Sequence, residues 1–143
     1  MNGNEALVDQ FFTDVLNRQN PGAAAQLLSQ NFVAHHPTFG DLDAVGLGKM
    51  AAQLYAAFPD LSYVIKDHVS DNDKVATRWV AGGTHQGTFF GVPATNKSVS
   101  VPGTDIFRVD NGRLAEAWMC SDFFGLFLQL GSFPPPPAGG KFI

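Results

Sequence analysis

A few side chains in this sequence have types and neighbours that can do chemistry. Asp122 lies among Met119, Cys120, Phe123 and Phe124. A carboxylate in such apolar company loses hydration, and its pKa rises. Raised toward neutrality, it can take a proton from carbon next to a carbonyl and return one to oxygen. On a regular strand, Glu116, Trp118, Cys120 and Asp122 share one face by period-two alternation. The structural alternative for Asp122 is a helix cap, since an apolar helical segment follows it. The two roles are compatible.

His35 and His36 precede Pro37 at a strand end. Neighbours on a strand point to opposite faces, so one of the two faces a pocket. A neutral imidazole there polarises a carbonyl or relays a proton. His85 follows Thr84 at another strand end, where it could hydrogen-bond a substrate oxygen or Asp122; the alternative is an exposed loop edge. His68 has no partner motif and receives no role. Arg78 and Asp105 fall on central strands, where charge is expensive unless paired. They read first as a structural ion pair or as edge-facing residues.

Of the 17 aromatic residues, 13 are Phe. Most of them serve a core, but aromatic walls also suit flat organic ligands. Trp79, Trp118, Phe90, Phe107 and Tyr55 are the candidate wall residues. Other chemistries find little support. Gly83-Thr84-His85-Gln86-Gly87 lacks the Lys-Ser/Thr of a phosphate loop. Four His without ligand spacing make no zinc site, so no metal is expected. Cys120 has no evident base nearby, and no Ser nucleophile elbow is present.

The elements that must position these residues follow from periodicity and turn chemistry. Residues 4–18 read as an amphipathic helix with Asn4 as a possible cap. Asn20-Pro21 opens a second helix ending near Ser29. Residues 31–35 form a short strand and 37–46 a loop. A third helix runs over 47–58 and stops at Pro59. Long strands follow at 61–69, 74–85, 98–109 and 113–121. Asp71-Asn72-Asp73 and Asp110-Asn111-Gly112 are their turns. Gly82-Gly83 and Pro102-Gly103 suggest bulges. Residues 123–130 form a closing helix, and 132–143 a proline-rich tail. Three helices followed by an antiparallel meander predict an α+β layer fold with a cavity between sheet and helices. Residues 1–131 form one domain.

Composition limits the partners. The chain has 143 residues and a formal net charge of −4, with its nine Lys and Arg scattered. A nucleic-acid surface wants a basic stripe, and none is visible. Charged residues make up 15% and hydrophobic residues 45%, enough for a core and a lined cavity. No apolar stretch approaches the ~20 residues that cross a bilayer, so no membrane partner is expected. One cysteine cannot form an internal disulfide, and the first residues carry no basic leader, so the expected compartment is the cytoplasm.

The ordered pattern Arg78-Trp79, GTHQG at 83–87, Phe90-Gly91-Val92-Pro93, Ile106-Phe107-Arg108, Asp110-Asn111-Gly112, then Glu116, Trp118 and Asp122 resembles the SnoaL-like polyketide cyclases of the nuclear transport factor 2-like superfamily. NFVAHHP at 31–37 matches the same family's strand, with His35 in the matching position. The resemblance covers roughly residues 4–131. It implies a cone-shaped α+β barrel, with three N-terminal helices on a strongly curved antiparallel sheet enclosing an apolar pocket. It further implies Asp122 as acid/base in an aldol-type ring closure, no cofactor and a homodimer. In the enzyme reading, His35, favoured by the family match, and His85, by its strand-end position, would orient oxygens of a small apolar ketonic substrate. Many relatives carry a His where this chain has Ala117, which favours as an alternative a binding protein without chemistry. Limonene epoxide hydrolase, in the same superfamily, activates water with an Asp–Arg–Asp set. Arg78 with Asp105 or Asp122 could imitate it.

Overall fold

In a computed structural model, residues 1–132 are described. The first helix, α1 (Gly3–Gln10), continues as a π-helical segment, Phe11–Asn17. Asn2 caps it rather than Asn4: its side chain accepts from Glu5 N, and Glu5 answers on Asn2 N. That reciprocal pair satisfies two orphan donors at the helix start. Helix α2 (Pro21–Leu27) begins as the Asn20-Pro21 pair predicts, with Asn20 accepting from Gly22 N. Helix α3 (Ala44–Ala57) starts three residues earlier than expected, because Asp43 caps it through Gly46 N at 2.8 Å. Helix α4 (Phe123–Leu130) follows the last strand.

The strands are β1 (Leu28–His36), β2 (Gly40–Leu42), β3 (Ser62–Asp71), β4 (Lys74–Thr84), β5 (Ser98–Asp110) and β6 (Arg113–Trp118). They form one open sheet in the order β2-β1-β6-β5-β4-β3. All neighbours are antiparallel except β1 and β6, which run parallel. The short β2 lies where a loop is expected from the sequence. It completes a tight hairpin with β1, pairing Ala34 with Leu42.

The expected bulges at Gly82-Gly83 and Pro102-Gly103 are not found. Both pairs continue the β4–β5 ladder in register. The irregularities fall between Leu28 and Val33 on β1, between Ile65 and Asp67 on β3 and between Arg108 and Val109 on β5. The glycines serve close approach instead: a Cβ on Gly103 would overlap the Trp79 indole, and one on Gly83 would crowd Phe58.

The core lies between the inner sheet face and the helices. Strand β5 shows why the sheet has two faces. Val99, Val101, Gly103, Asp105, Phe107 and Val109 are buried in strict alternation with exposed or half-buried neighbours. Phe107 meets Phe11 and Phe12 edge-on, with ring centroids 5.7 and 6.0 Å apart. This fastens the first helix to the middle of the sheet.

Candidate functional site

An apolar cavity of about 60 Å³ lies between the sheet and helices α3 and α4. Leu47, Met50 and Leu54 of α3 form one wall, and Phe123 and Leu126 of α4 another. Val99, Val101, Ala81 and Trp79 form the sheet side. The polar side chains that reach it belong to Asp105, Tyr63, Trp79, His36 and Ser121.

Asp105 is only 4% exposed. Its position on β5 is in phase with the apolar face, so the strand itself carries the carboxyl into the core. Cys120 N donates to its Oδ1 at 3.2 Å. That bond and the nearby Trp79 indole favour the anion, but desolvation outweighs both and pushes the pKa up to about 7. A carboxyl with this value is half ionised near neutral pH. Tyr63 is held well above the usual phenol range, first by burial and then by the Asp105 charge. Trp79 stands diagonally across the ladder from Asp105, opposite Gly103. Its Nε1 is buried and has no hydrogen-bond partner among the described residues.

His36, and not His35, faces this cavity. His36 is 7% exposed, and its Nδ1 accepts from Thr38 N and Phe39 N at 3.1 and 3.2 Å. Burial lowers its pKa. His35 projects to the opposite sheet face. There its Nδ1 lies 2.8 Å from Asp41 Oδ1 and its Nε2 2.7 Å from Glu116 Oε2. These partners, Glu116 foremost, raise its pKa. Arg108 Nε also reaches Glu116, at 3.2 Å.

The expected shared face of Glu116, Trp118, Cys120 and Asp122 exists, but it is the outer one. Ala117 and Met119 are buried and Ser121 lines the cavity, while Trp118, Cys120 and Asp122 are exposed. Asp122 therefore lacks the expected apolar burial. Its carboxylate caps α4, accepting from Gly125 N at 2.8 Å. Trp118 stacks on His35 on the outer face, not against a ligand space.

His85 is fully buried but does not line the cavity. It packs against Phe58, and Thr95 N donates to its Nδ1 at 3.2 Å, which ties down the 86–97 loop. Arg78 pairs with Asp67 through two bonds of 3.0 and 3.1 Å, both side chains more than half exposed. It contacts neither Asp105 nor Asp122, so the epoxide hydrolase-like arrangement is absent. Phe107 belongs to the core and Phe90 is exposed beside Phe39 and Phe127. Tyr55 donates to Leu16 O and lines a separate groove of about 820 Å³ between α2 and α3. Leu16 and Leu47 belong to the walls of both spaces.

Of the residues expected at the site, only Trp79 lines the cavity. Asp105 was read as an ion-pair or epoxide hydrolase-like partner of Arg78, His36 was set behind His35, and Tyr63 and Ser121 were not singled out. The signal for Asp105 was present: a single carboxylate in phase with Val99, Val101, Phe107 and Val109. Among the described residues no cluster of His, Cys, Asp and Glu could hold a metal, and no helix is long and apolar enough to cross a membrane.

The family model for SnoaL-like polyketide cyclases matches residues 6–130. This chain belongs to that family. Its fold is shared by AclR of Streptomyces galilaeus, a proposed hydroxylase, with a TM-score of 0.84 and 27% identity over 94% of this chain and 89% of that one. A proposed polyketide cyclase from Acidithiobacillus ferrooxidans gives 0.82 and 27% over 92% and 96%. IdmH of Streptomyces antibioticus, also a proposed polyketide cyclase, gives 0.80 and 29% over 90% and 98%. Among curated proteins none matches this chain. The SnoaL-like match ends before the proline-rich tail, which beyond Ser132 lies outside the described residues.

Proposed function

We propose that this SnoaL-like protein catalyses proton transfer at carbon next to a carbonyl, leading to ring closure or isomerisation of a small apolar ketone. The observation that carries this reading is the Asp105 carboxyl, buried and opening on an apolar cavity. Ionised Asp105 removes the α-proton and becomes neutral. In the aldol case, the enolate carbon attacks a second carbonyl of the same molecule and forms the new C–C bond. The resulting alkoxide takes the proton back from Asp105. No electrons are exchanged, so the sequence needs no redox partner. Water exclusion by Leu47, Met50, Val101 and Leu126 keeps the carboxyl near its working pKa.

The role given to Asp122 by resemblance passes to Asp105 in this reading, because Asp105 is buried beside the cavity, while Asp122 is exposed and caps α4. The test needs no knowledge of the natural substrate. Cyclopentanone in D2O exchanges its α-protons, and the protein should accelerate that exchange over buffer. Asp105→Asn should return the rate to that of buffer, while Asp122→Asn should stay within about fivefold of the parent. Exchange that survives in Asp105→Asn and is lost in Asp122→Asn gives the role back to Asp122. No acceleration by the parent protein favours the non-catalytic binding protein.

A homodimer belongs to the same proposal. The outer sheet face exposes Ile106 and Trp118, cross-strand partners that are 40% and 36% accessible. Sedimentation of the parent protein and of Ile106→Lys tests it; a parent that sediments as a monomer removes it.

A further inference from the structure

We propose that the indole N–H of Trp79 and the imidazole N–H of His36 form an oxygen-binding pair in the cavity, receiving a carbonyl or enolate oxygen of the ligand. The inference deepens the cyclase reading, on which it rests for the identity of that oxygen.

Trp79 carries the first half. It is 5% exposed, lines the cavity, and leaves Nε1 buried without a partner among the described residues. The Asp105 carboxylate is close enough to feel this N–H, but no hydrogen bond of ordinary geometry joins them; a buried donor left so is rare in native folds. An indole nitrogen only donates, so what satisfies it must be an acceptor. Its position is fixed by the absence of a side chain at Gly103, over which the ring lies.

His36 carries the second half. Two backbone N–H groups, of Thr38 and Phe39, point at its Nδ1. That nitrogen must present its lone pair, which places the ring proton on Nε2. A second proton on Nδ1 would face two donors. The turn at 37–39 thus holds the imidazole neutral and turns its remaining polar atom away from the backbone. Nε2 has no hydrogen-bond partner among the described residues, and the ring lines the cavity. Phe39 and Phe123 hold it edge-on and tilted, with centroids 4.8 and 5.5 Å away.

Tyr63 and Ser121 can donate or accept, but Trp79 and neutral His36 in this tautomer offer only N–H donors to the cavity. Together they select a ligand end that is an acceptor without protons of its own. Two donors on one carbonyl oxygen acidify the neighbouring carbon, while Asp105 takes its proton. Trp79 and His36 are positioning and polarising groups, and Asp105 the base.

Two-dimensional NMR of the 15N-labelled full chain reads both halves. The chain has two indole N–H signals, and Trp118→Phe on the outer face assigns that of Trp79. Titration with cyclopentanone should move the Trp79 N–H proton downfield. Cyclopentane, which fills the same space without an oxygen, should not produce that shift. Trp79→Phe should weaken cyclopentanone binding about tenfold and leave cyclopentane binding within twofold. Long-range 1H–15N spectra should show His36 protonated on Nε2. Cyclopentanone that fails to bind, that binds without moving the indole proton, or that meets a His36 protonated on Nδ1 overturns the proposal. The indole shift is read in a protein with Trp79 intact, so a misfolded Trp79→Phe does not decide the matter. Repeating the titration in Asp105→Asn separates the two readings. Ketone binding with the indole shift but no exchange activity in the parent would sink the cyclase reading and leave the oxygen site standing.

Discussion

The Trp79 indole lies against the backbone of Gly103, its direct cross-strand partner, with no room for a Cβ between them. Gly103→Ala must therefore push the ring off the sheet and into the cavity. Overpacking of this kind costs about 1–3 kcal/mol. Urea unfolding followed by circular dichroism should show that loss, and the displaced indole should remove ketone binding. A fully stable Gly103→Ala would mean that the ring has another place to go.

Asp105 gives stability an unusual pH dependence. Folding raises its pKa from 3.8 to about 7, so the folded chain holds this proton more tightly than the unfolded one. Between those values the folded state binds more protons, and its stability must fall as pH rises. The loss levels off above about pH 7 and is on the order of 4 kcal/mol. Asp105→Asn should abolish this slope and be more stable than the parent at pH 8. If the carboxylate is the base, exchange activity in the parent should instead rise through about pH 7. Urea midpoints and exchange rates from pH 4 to 8 check both.

On the outer face, His35 follows the same pH sense as Asp105 and Glu116 the opposite one. The pKa of His35 is raised above 6.5, so its contribution is fully present below 6.5 and lost as pH rises through the folded value. That of Glu116 is lowered below 4.5, first by His35, so its contribution is present above 4.5 and lost as pH falls through the folded value. The pair is at full strength between about pH 4.5 and 6.5. Glu116→Gln should lower the His35 pKa in an NMR titration and leave ketone exchange unchanged. A loss of exchange would place this network in the chemistry after all.

Asp122 caps α4, so its substitutions should separate by capping ability. Asp122→Ala should cost about 1 kcal/mol and loosen the helix that carries Phe123 and Leu126 into the cavity wall. Asp122→Asn keeps the cap and should be close to neutral in thermal unfolding. Equal losses in the two variants would show that the negative charge matters beyond the cap.

Leu47 separates the inner cavity from the outer groove. Leu47→Ala should destabilise the chain by about 2–5 kcal/mol and let the two spaces join. Ketones too large for the parent cavity should then bind, as calorimetry with cyclopentanone and its larger homologues would show. Unchanged size selectivity would place the way in elsewhere.

Much of the fold was legible because alternation and turn chemistry are local. The Asp110-Asn111-Gly112 hairpin, the Asn20-Pro21 helix start and the long strands all follow from a few neighbouring residues. The site was less legible, because period two gives parity without saying which face is inside. Glu116, Trp118, Cys120 and Asp122 do share a face, and an aromatic among them suggested burial. The face is settled by β1 and β5 on either side, where Ala34 and Phe107 are the buried partners of Ala117. His36 was hidden for the same reason: the parity of β1, in phase with buried Phe32 and Ala34, carries it inward. The glycines at 83 and 103 were read as bulges because a missing Cβ looks the same in sequence whether it bends a strand or makes room for a ring.

The parallel pairing of β1 with β6 ties residues 28–36 to residues 114–118, across most of the chain. Such a contact closes a long loop before it returns any stabilisation, and contacts of high sequence separation slow folding. During synthesis, β3, β4 and β5 can zip as they emerge, each beside its predecessor. The β1–β2 hairpin must wait with one edge bare until β6 arrives to join it to the rest. The last strand made is thus the central seam of the sheet, and any nascent chain halted before Trp118 leaves two half-sheets with open edges for a chaperone, or a neighbouring chain, to cover.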